Sequence, residues 1–333
     1  EPRGVSTDSL LLPGMGDRIN DVDRVRILSA GSTAVATLVK KPAGWQLEEM
    51  GGYQADWPRL QSLLAALATA RVVETKTDNP QYYSRLGVGD IQSPDANSVL
   101  VTLGVNDKET AVLIGNSAQG RPGQYVRLQD VKSSVLIDQE IDVSTTTLDW
   151  AESRIIDINA SEVAEVEVIH PDSERILIMR ISADQTDFDL AGLPTGREIK
   201  SSWAVNSLAS VLSMLDMQSV RADEGIDWGA ATKMRLLMFS GIEIIADVMQ
   251  ADDEYLLRLH ADHPGSNVVK GDTADAGQTQ EQQQIEKQAA EDVAKTLEDI
   301  NAKTTGWVYV ISQQKYDAMV KRPEDLLKPV SST

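Results

Sequence analysis

The chain has 333 residues with 25% charged and 41% hydrophobic side chains, a formal net charge of −20 and no cysteine. That excess of acid argues against nucleic acid and anionic lipid as partners, since both demand clustered lysine and arginine. Disulfides, thiolate metal sites and cysteine nucleophiles are excluded outright, no apolar run reaches the roughly 18 residues of a membrane span, and the length favours two domains.

In chain order, residues 1–22 read as a lead-in segment that docks through Leu10–Leu12. "VDRVRILS" and "STAVATLVK" alternate apolar and polar residues, as half-buried strands do, and "AGWQLEE" follows as a third, with Trp45 and Leu47 on one face. Asp56 is a good N-cap and Pro58 is tolerated in a first helical turn. Leu60, Leu63, Leu64 and Leu67 then form one helical stripe, and "ARVVETKT" leaves the helix as a strand. "NSVLVTLGV" with "ETAVLIG", and "GQYVRLQ" with "SSVLIDQ", read as two hairpins, and "TTLDWAESRIID" reads as a short closing helix.

The order then repeats. "SEVAEVEVIH" and "RILIMRIS" are strands; "TDFDLAG" takes the place of "AGWQLEE", with Phe188 for Trp45 and Leu190 for Leu47. Leu208, Val211, Leu212 and Leu215 reproduce the leucine-stripe spacing. "EYLLRLHA" replaces "GQYVRLQ", setting Tyr255 where Tyr125 stood, and "KYDAMVKRPEDLLKP" replaces the closing helix. The expected fold is α+β: two tandem, divergent β-rich repeats at 23–160 and 161–333, each a mostly antiparallel sheet with a packed leucine-stripe helix. The second repeat alone carries an insertion at 262–306, a polar loop followed by a helix in which Ile285, Ala289, Val293, Leu297 and Ile300 form a weak apolar stripe. That stripe packs on its own domain or on a partner.

Chemistry is sparse. His260, Asp262 and His263 are the one set with metal-ligand character, but the histidine spacing fits neither a helical i, i+4 pair nor a same-face strand pair. "GNSAQGRPG" resembles a phosphate loop in outline; Arg121 and Pro122 stand where Lys and Ser/Thr are required, so a wide hairpin turn is the reading. No nucleophile elbow occurs. Catalytic and cofactor-binding residues are therefore expected to be absent.

Certain residues resemble a known family. Gly44-Trp45, Ala55-Asp56, Leu86-Gly87, Ile114-Gly115, Tyr125-Val126-Arg127, Trp150 and Arg154, spread over 23–160, are similar to the domain-of-unknown-function family 4340. The resemblance implies an envelope protein with one N-terminal transmembrane helix and a large extracytoplasmic domain, often encoded beside gliding-motility-type ABC transporter components. It assigns no catalytic residue. A start at Glu1 rather than Met fits a periplasmic chain whose anchor or signal peptide lies outside this sequence. The expected function is thus a non-enzymatic accessory or scaffold subunit contacting the membrane and extracytoplasmic subunits of such a transporter. The alternative is a periplasmic binding protein holding an envelope glycan or lipid in a groove between the repeats.

Overall fold

The computed structural model describes residues 8–264 and 280–329. The chain divides into two compact units, 1–153 and 154–333. The first contains α1 (Met15–Arg18), β1 (Arg24–Ser29), β2 (Thr33–Lys41), β3 (Gly44–Leu47), β4 (Tyr53–Gln54), α2 (Trp57–Thr69), β5 (Val72–Thr75), α3 (Tyr83–Leu86), β6 (Val99–Val105), β7 (Lys108–Ser117), β8 (Gln124–Leu128) and β9 (Ser134–Ile137). The second contains β10 (Arg154–Ile156), β11 (Val163–Ile169), β12 (Arg175–Met179), β13 (Asp189–Leu190), α4 (Ser202–Asn206), β14 (Leu215–Asp216), β15 (Ser219–Ala222), β16 (Thr232–Met238), β17 (Glu243–Ala251), β18 (Glu254–Asp262), α5 (Gln280–Thr304), β19 (Trp307–Ile311), α6 (Gln313–Met319) and α7 (Pro323–Leu326).

The two large sheets share one topology. In the first unit the order is β4-β3-β2-β1-β6-β7-β8-β9-β5; in the second it is β13-β12-β11-β16-β17-β18-β19-β15. Every pairing is antiparallel. The correspondence extends to register: the row Leu47–Leu38–Val25–Leu103 recurs as Leu190–Ile178–Val166–Leu236. Seven of these eight side chains are buried, and Leu190 at the short edge strand is half-buried. A strand's side chains alternate faces, so an apolar row survives duplication only if its register does.

The leucine stripe behaves differently in the two units. In α2, Leu60, Leu63, Leu64 and Leu67 are all buried, each contributing about 1.5–3 kcal/mol. Asp56 caps the helix by accepting from Arg59 N–H at 2.8 Å. Leu208, Val211, Leu212 and Leu215 are buried as well, but no continuous helix carries them. α4 ends at Asn206, a 3-10 turn covers Ser207–Ser210, and Leu215 already belongs to β14. The reason is composition: Asn206, Ser207, Ser210 and Ser213 compete for backbone partners, and Ser207 Oγ donates back to Ala204 O at 2.8 Å. Lys315 secures the exit, donating to Val211 O at 3.2 Å and Ser213 O at 2.6 Å.

Two further expectations are corrected. "TTLDWAESRIID" is not a helix: Thr147–Trp150 is a 3-10 turn, and Arg154–Ile156 is β10, paired with β14. Trp150 and Ile155 are both buried, which is what made the segment look amphipathic. The closing segment of the second unit is two short helices, α6 and α7, because Pro323 opens a new helix after Ser312-capped α6 has ended. The lead-in docks as expected: Leu11 and Leu12 are buried, and Leu10 bridges Arg71 beside β5. In the second unit β10 and Ile158 take a like role, Ile158 N–H donating to Leu212 O at 3.1 Å.

Gly87 and Gly115 act together. Gly87 ends α3 in the left-handed conformation (φ 68°), and its turn lies against β7 at Gly115. A Cβ on Gly115 would stand 2.5 Å from Leu86 O, a backbone atom that cannot step aside. Gly115→Ala is expected to cost about 1–3 kcal/mol through overpacking. Urea unfolding checks this, and a loss below about 0.5 kcal/mol would contradict the close approach.

Candidate partner interface

The helix expected from the insertion is present as α5, 25 residues and about 37 Å long. It packs at its C-terminal end. β18 is nine residues long, but β19 pairs only with Tyr255, Leu256 and Leu257, so the edge beyond Leu257 would stand open. α5 covers it. Ala261 N–H donates to Asn301 Oδ1 at 2.8 Å, and Asn301 Nδ2 donates to Ala261 O at 2.8 Å. One side-chain amide thus supplies both bonds that a neighbouring strand would supply, closing an edge otherwise prone to pairing.

The apolar stripe divides along the helix. Ile300, Leu297 and Val293 are half-buried toward the anchored end, and Thr304 is fully buried. Lys287 to Asp292 are all exposed, Ala289 included. Ile285 lies in the helix backbone, but its side chain is outside the described residues. The exposed stretch is held helical by its own pairs, Lys287 with Glu291 at 3.7 Å and Gln288 Nε2 donating to Asp292 Oδ1 at 2.9 Å. A helix anchored at one end and solvent-facing over more than a turn offers a ready surface to another protein.

His260, Asp262 and His263 are placed at the end of β18. His260 and Asp262 are exposed, and the Asp262 carboxylate accepts from His263 N–H at 2.7 Å. The His263 ring lies over Gly241, where a Cβ would meet Nε2 at 2.9 Å. Among the described residues no group of three or more His, Cys, Asp or Glu converges as metal ligands do. The third histidine, His170, is buried between Thr232 Oγ1 at 3.2 Å and Lys321 O at 3.0 Å. No helix among the described residues is long and apolar enough to cross a membrane.

The residues behind the family resemblance are tied into the frame of the fold. Ala55 bridges Ala151, and Asp56 N–H donates to Trp150 O at 2.9 Å, so the start of α2 is fixed to the fully buried Trp150. Beside this join, Asp56, Arg59, Ser62, Glu140 and Asp142 line an open cleft of about 420 Å³, in which Arg59 and Asp142 pair at 3.4 Å. Arg127 is buried under the loop 76–98. Its Nε donates to Val88 O at 3.1 Å, Nη2 pairs with Asp90, and the guanidinium lies 4.5 Å from the Tyr83 ring centroid. Burial pushes the Tyr83 phenol up, keeping it a donor to Lys132 O.

The second unit repeats this pin in a form the sequence concealed. Arg127 stands opposite Leu113, Leu100 and Leu28 across the sheet; Arg258 stands opposite Asp247, Lys233 and Ile169. Leu28 is three residues past Val25, and Ile169 three past Val166, so the two arginines hold one position of the repeat. Equating Tyr125 with Tyr255 is off by one; Leu256 fills that place, because the turns entering β8 and β18 differ in length. Arg258 donates to Asp247 at 2.9 Å and Asp223 at 3.1 Å and lies 4.6 Å from the Trp228 centroid, while Trp228 Nε1 donates to Asp223 at 3.0 Å. Asn301, Arg258 and Trp228 carried no local sequence pattern that would have marked them.

Asn301→Ala is expected to free the edge of β18. Amide hydrogen exchange should rise at least tenfold over 258–262 and over the last turns of α5, with the first unit unchanged. Unchanged protection in both segments would contradict the capping role.

Comparison with known proteins gives one positive result. The profile described as Domain of unknown function (DUF4340) matches residues 45–233, more than half of the chain, running from β3 in the first unit to β16 in the second. No curated protein and no solved structure shows significant similarity to the chain. The match starts within β3, covers nearly all the motif residues and continues past 160 through β11, β12, β13 and β15 of the second unit. By that span the chain belongs to the DUF4340 family of domains of unknown function.

Proposed function

We propose that this protein is a non-enzymatic extracytoplasmic scaffold, an accessory subunit that contacts the membrane and extracytoplasmic subunits of an envelope ABC-type transporter through protein surfaces. The observation supporting this reading is α5: anchored to β18 through Asn301, yet solvent-facing from Lys287 to Asp292. An exposed helical face fixed on a rigid sheet is a common recognition element for a partner protein. The transporter context rests on what the family resemblance implies, and the strongly acidic composition suits a partner surface of complementary charge.

Affinity capture from envelope extracts tests the proposal. The full chain should retain transporter subunits, and a variant lacking 265–304 with its ends rejoined should lose them by tenfold or more while keeping its circular dichroism outside the helical loss. Equal capture by both proteins would remove α5 from the interface, and capture of no transporter subunit by the full chain would remove the scaffold reading.

A further inference from the structure

The loop 76–98 of the first unit is far longer than its counterpart 223–231 in the second, and it does more than cover the sheet. Lys76, Thr77, Tyr82, Arg85 and Leu86 line an open surface depression of about 250 Å³. Two of those five residues are cationic, in a chain that carries 51 acidic and 31 basic residues. Arg85 lies 5.2 Å from the Tyr82 ring centroid and, among the described residues, has no carboxylate within ion-pair distance. Lys76 shares Glu74 with Arg121, both at 2.8 Å, and sits 5.9 Å from the Tyr125 centroid. The hydrogen bond from Lys76, then that from Arg121, hold the Glu74 carboxyl below its ordinary range, so Glu74 stays ionised and occupied by two cations.

The backbone is held on two sides of the depression. Thr77 is bound to Ser134 in both directions, Ser134 N–H donating to Thr77 O at 2.8 Å and Thr77 N–H donating to Ser134 Oγ at 3.2 Å. Arg85 and Leu86 are held by the Gly87 turn, which is seated on Gly115. The family residues Leu86, Gly87 and Gly115 therefore fix the backbone of Arg85, whose exposed guanidinium lies over the exposed Tyr82 ring at the depression. A guanidinium with no carboxylate partner among the described residues offers a fork of donors that matches a carboxylate or phosphate, and the Tyr82 ring and Leu86 offer an apolar surface.

We infer that this pocket binds a ring-sized anionic ligand, a sugar ring bearing one carboxylate or phosphate, with Arg85 and Lys76 on the charged group and Tyr82 against the ring. At this volume the ligand is a single sugar or one residue of a longer acidic chain. The site is independent of the transporter reading, since it lies on the first unit and makes no use of α5.

Calorimetric titration of the full chain at low salt uses glucuronate, glucose 6-phosphate and glucose as probes. A ligand of this size should bind with Kd on the order of 1 mM. At least one charged probe should bind at least tenfold more tightly than glucose, and the stronger of the two identifies a carboxylate or a phosphate source. Arg85→Gln should weaken that binding about tenfold, Lys76→Gln should weaken it as well, and 0.5 M salt should do the same. Arg221→Gln, on β15 of the second unit, should leave it unchanged. Charged probes that bind no better than glucose, or full affinity in both Arg85→Gln and Lys76→Gln, would overturn the assignment.

Discussion

One interaction organises each unit: an arginine on β8 or on its counterpart β18, laid under an aromatic ring and paired with an acid of the loop that crosses it. Arg127 lies under Tyr83 and pairs with Asp90; Arg258 lies under Trp228 and pairs with Asp223. A sheet has two faces, and the leucine stripe occupies only one side of the problem. The other face needs a cover of its own. The loop from β5 to β6, and its counterpart from β15 to β16, supplies it. Ile91 packs on Leu100 and Leu113 in the first unit, and Trp228 and Ala231 pack on Leu256, Val308 and Val310 in the second. A loop has few apolar contacts of its own, so a directional polar pin decides where it rests.

With the pin and the register common to both halves, the differences between them become informative. The first unit lengthens the crossing loop and gains a basic pocket on it. The second shortens that loop, extends β18 and inserts α5 against the exposed edge. Loops on a fixed frame are where new recognition is added at least cost to folding. The family profile ends at residue 233, at the start of β16, before β17, β18, α5 and β19.

Sequence patterns revealed the frame and little of what is fastened to it. Strands announce themselves through period-two alternation, and the row from Leu47 to Leu103 could be matched to its copy because a slip by one residue would have buried polar side chains. The second leucine stripe was misread as a helix because binary spacing ignores that Asn206, Ser207, Ser210 and Ser213 draw the backbone into turns. β10 was missed because its partner β14 lies some 60 residues on. Asn301 and Arg127 act on backbone 40 and 39 residues away, Ala261 and Val88, so no local window could assign their roles. The insertion helix was legible, as was the weakness of its stripe; which end is anchored was not.

The equivalence of the two pins can be measured directly by hydrogen exchange on Arg127→Met and Arg258→Met. Each substitution should raise exchange in its own crossing loop, 76–98 for the first and 223–231 for the second, while the core strands β1, β6, β11 and β16 stay protected. Loss of protection throughout a unit, or an unchanged loop in either variant, would contradict the claim that one repeated arginine holds one repeated cover in place.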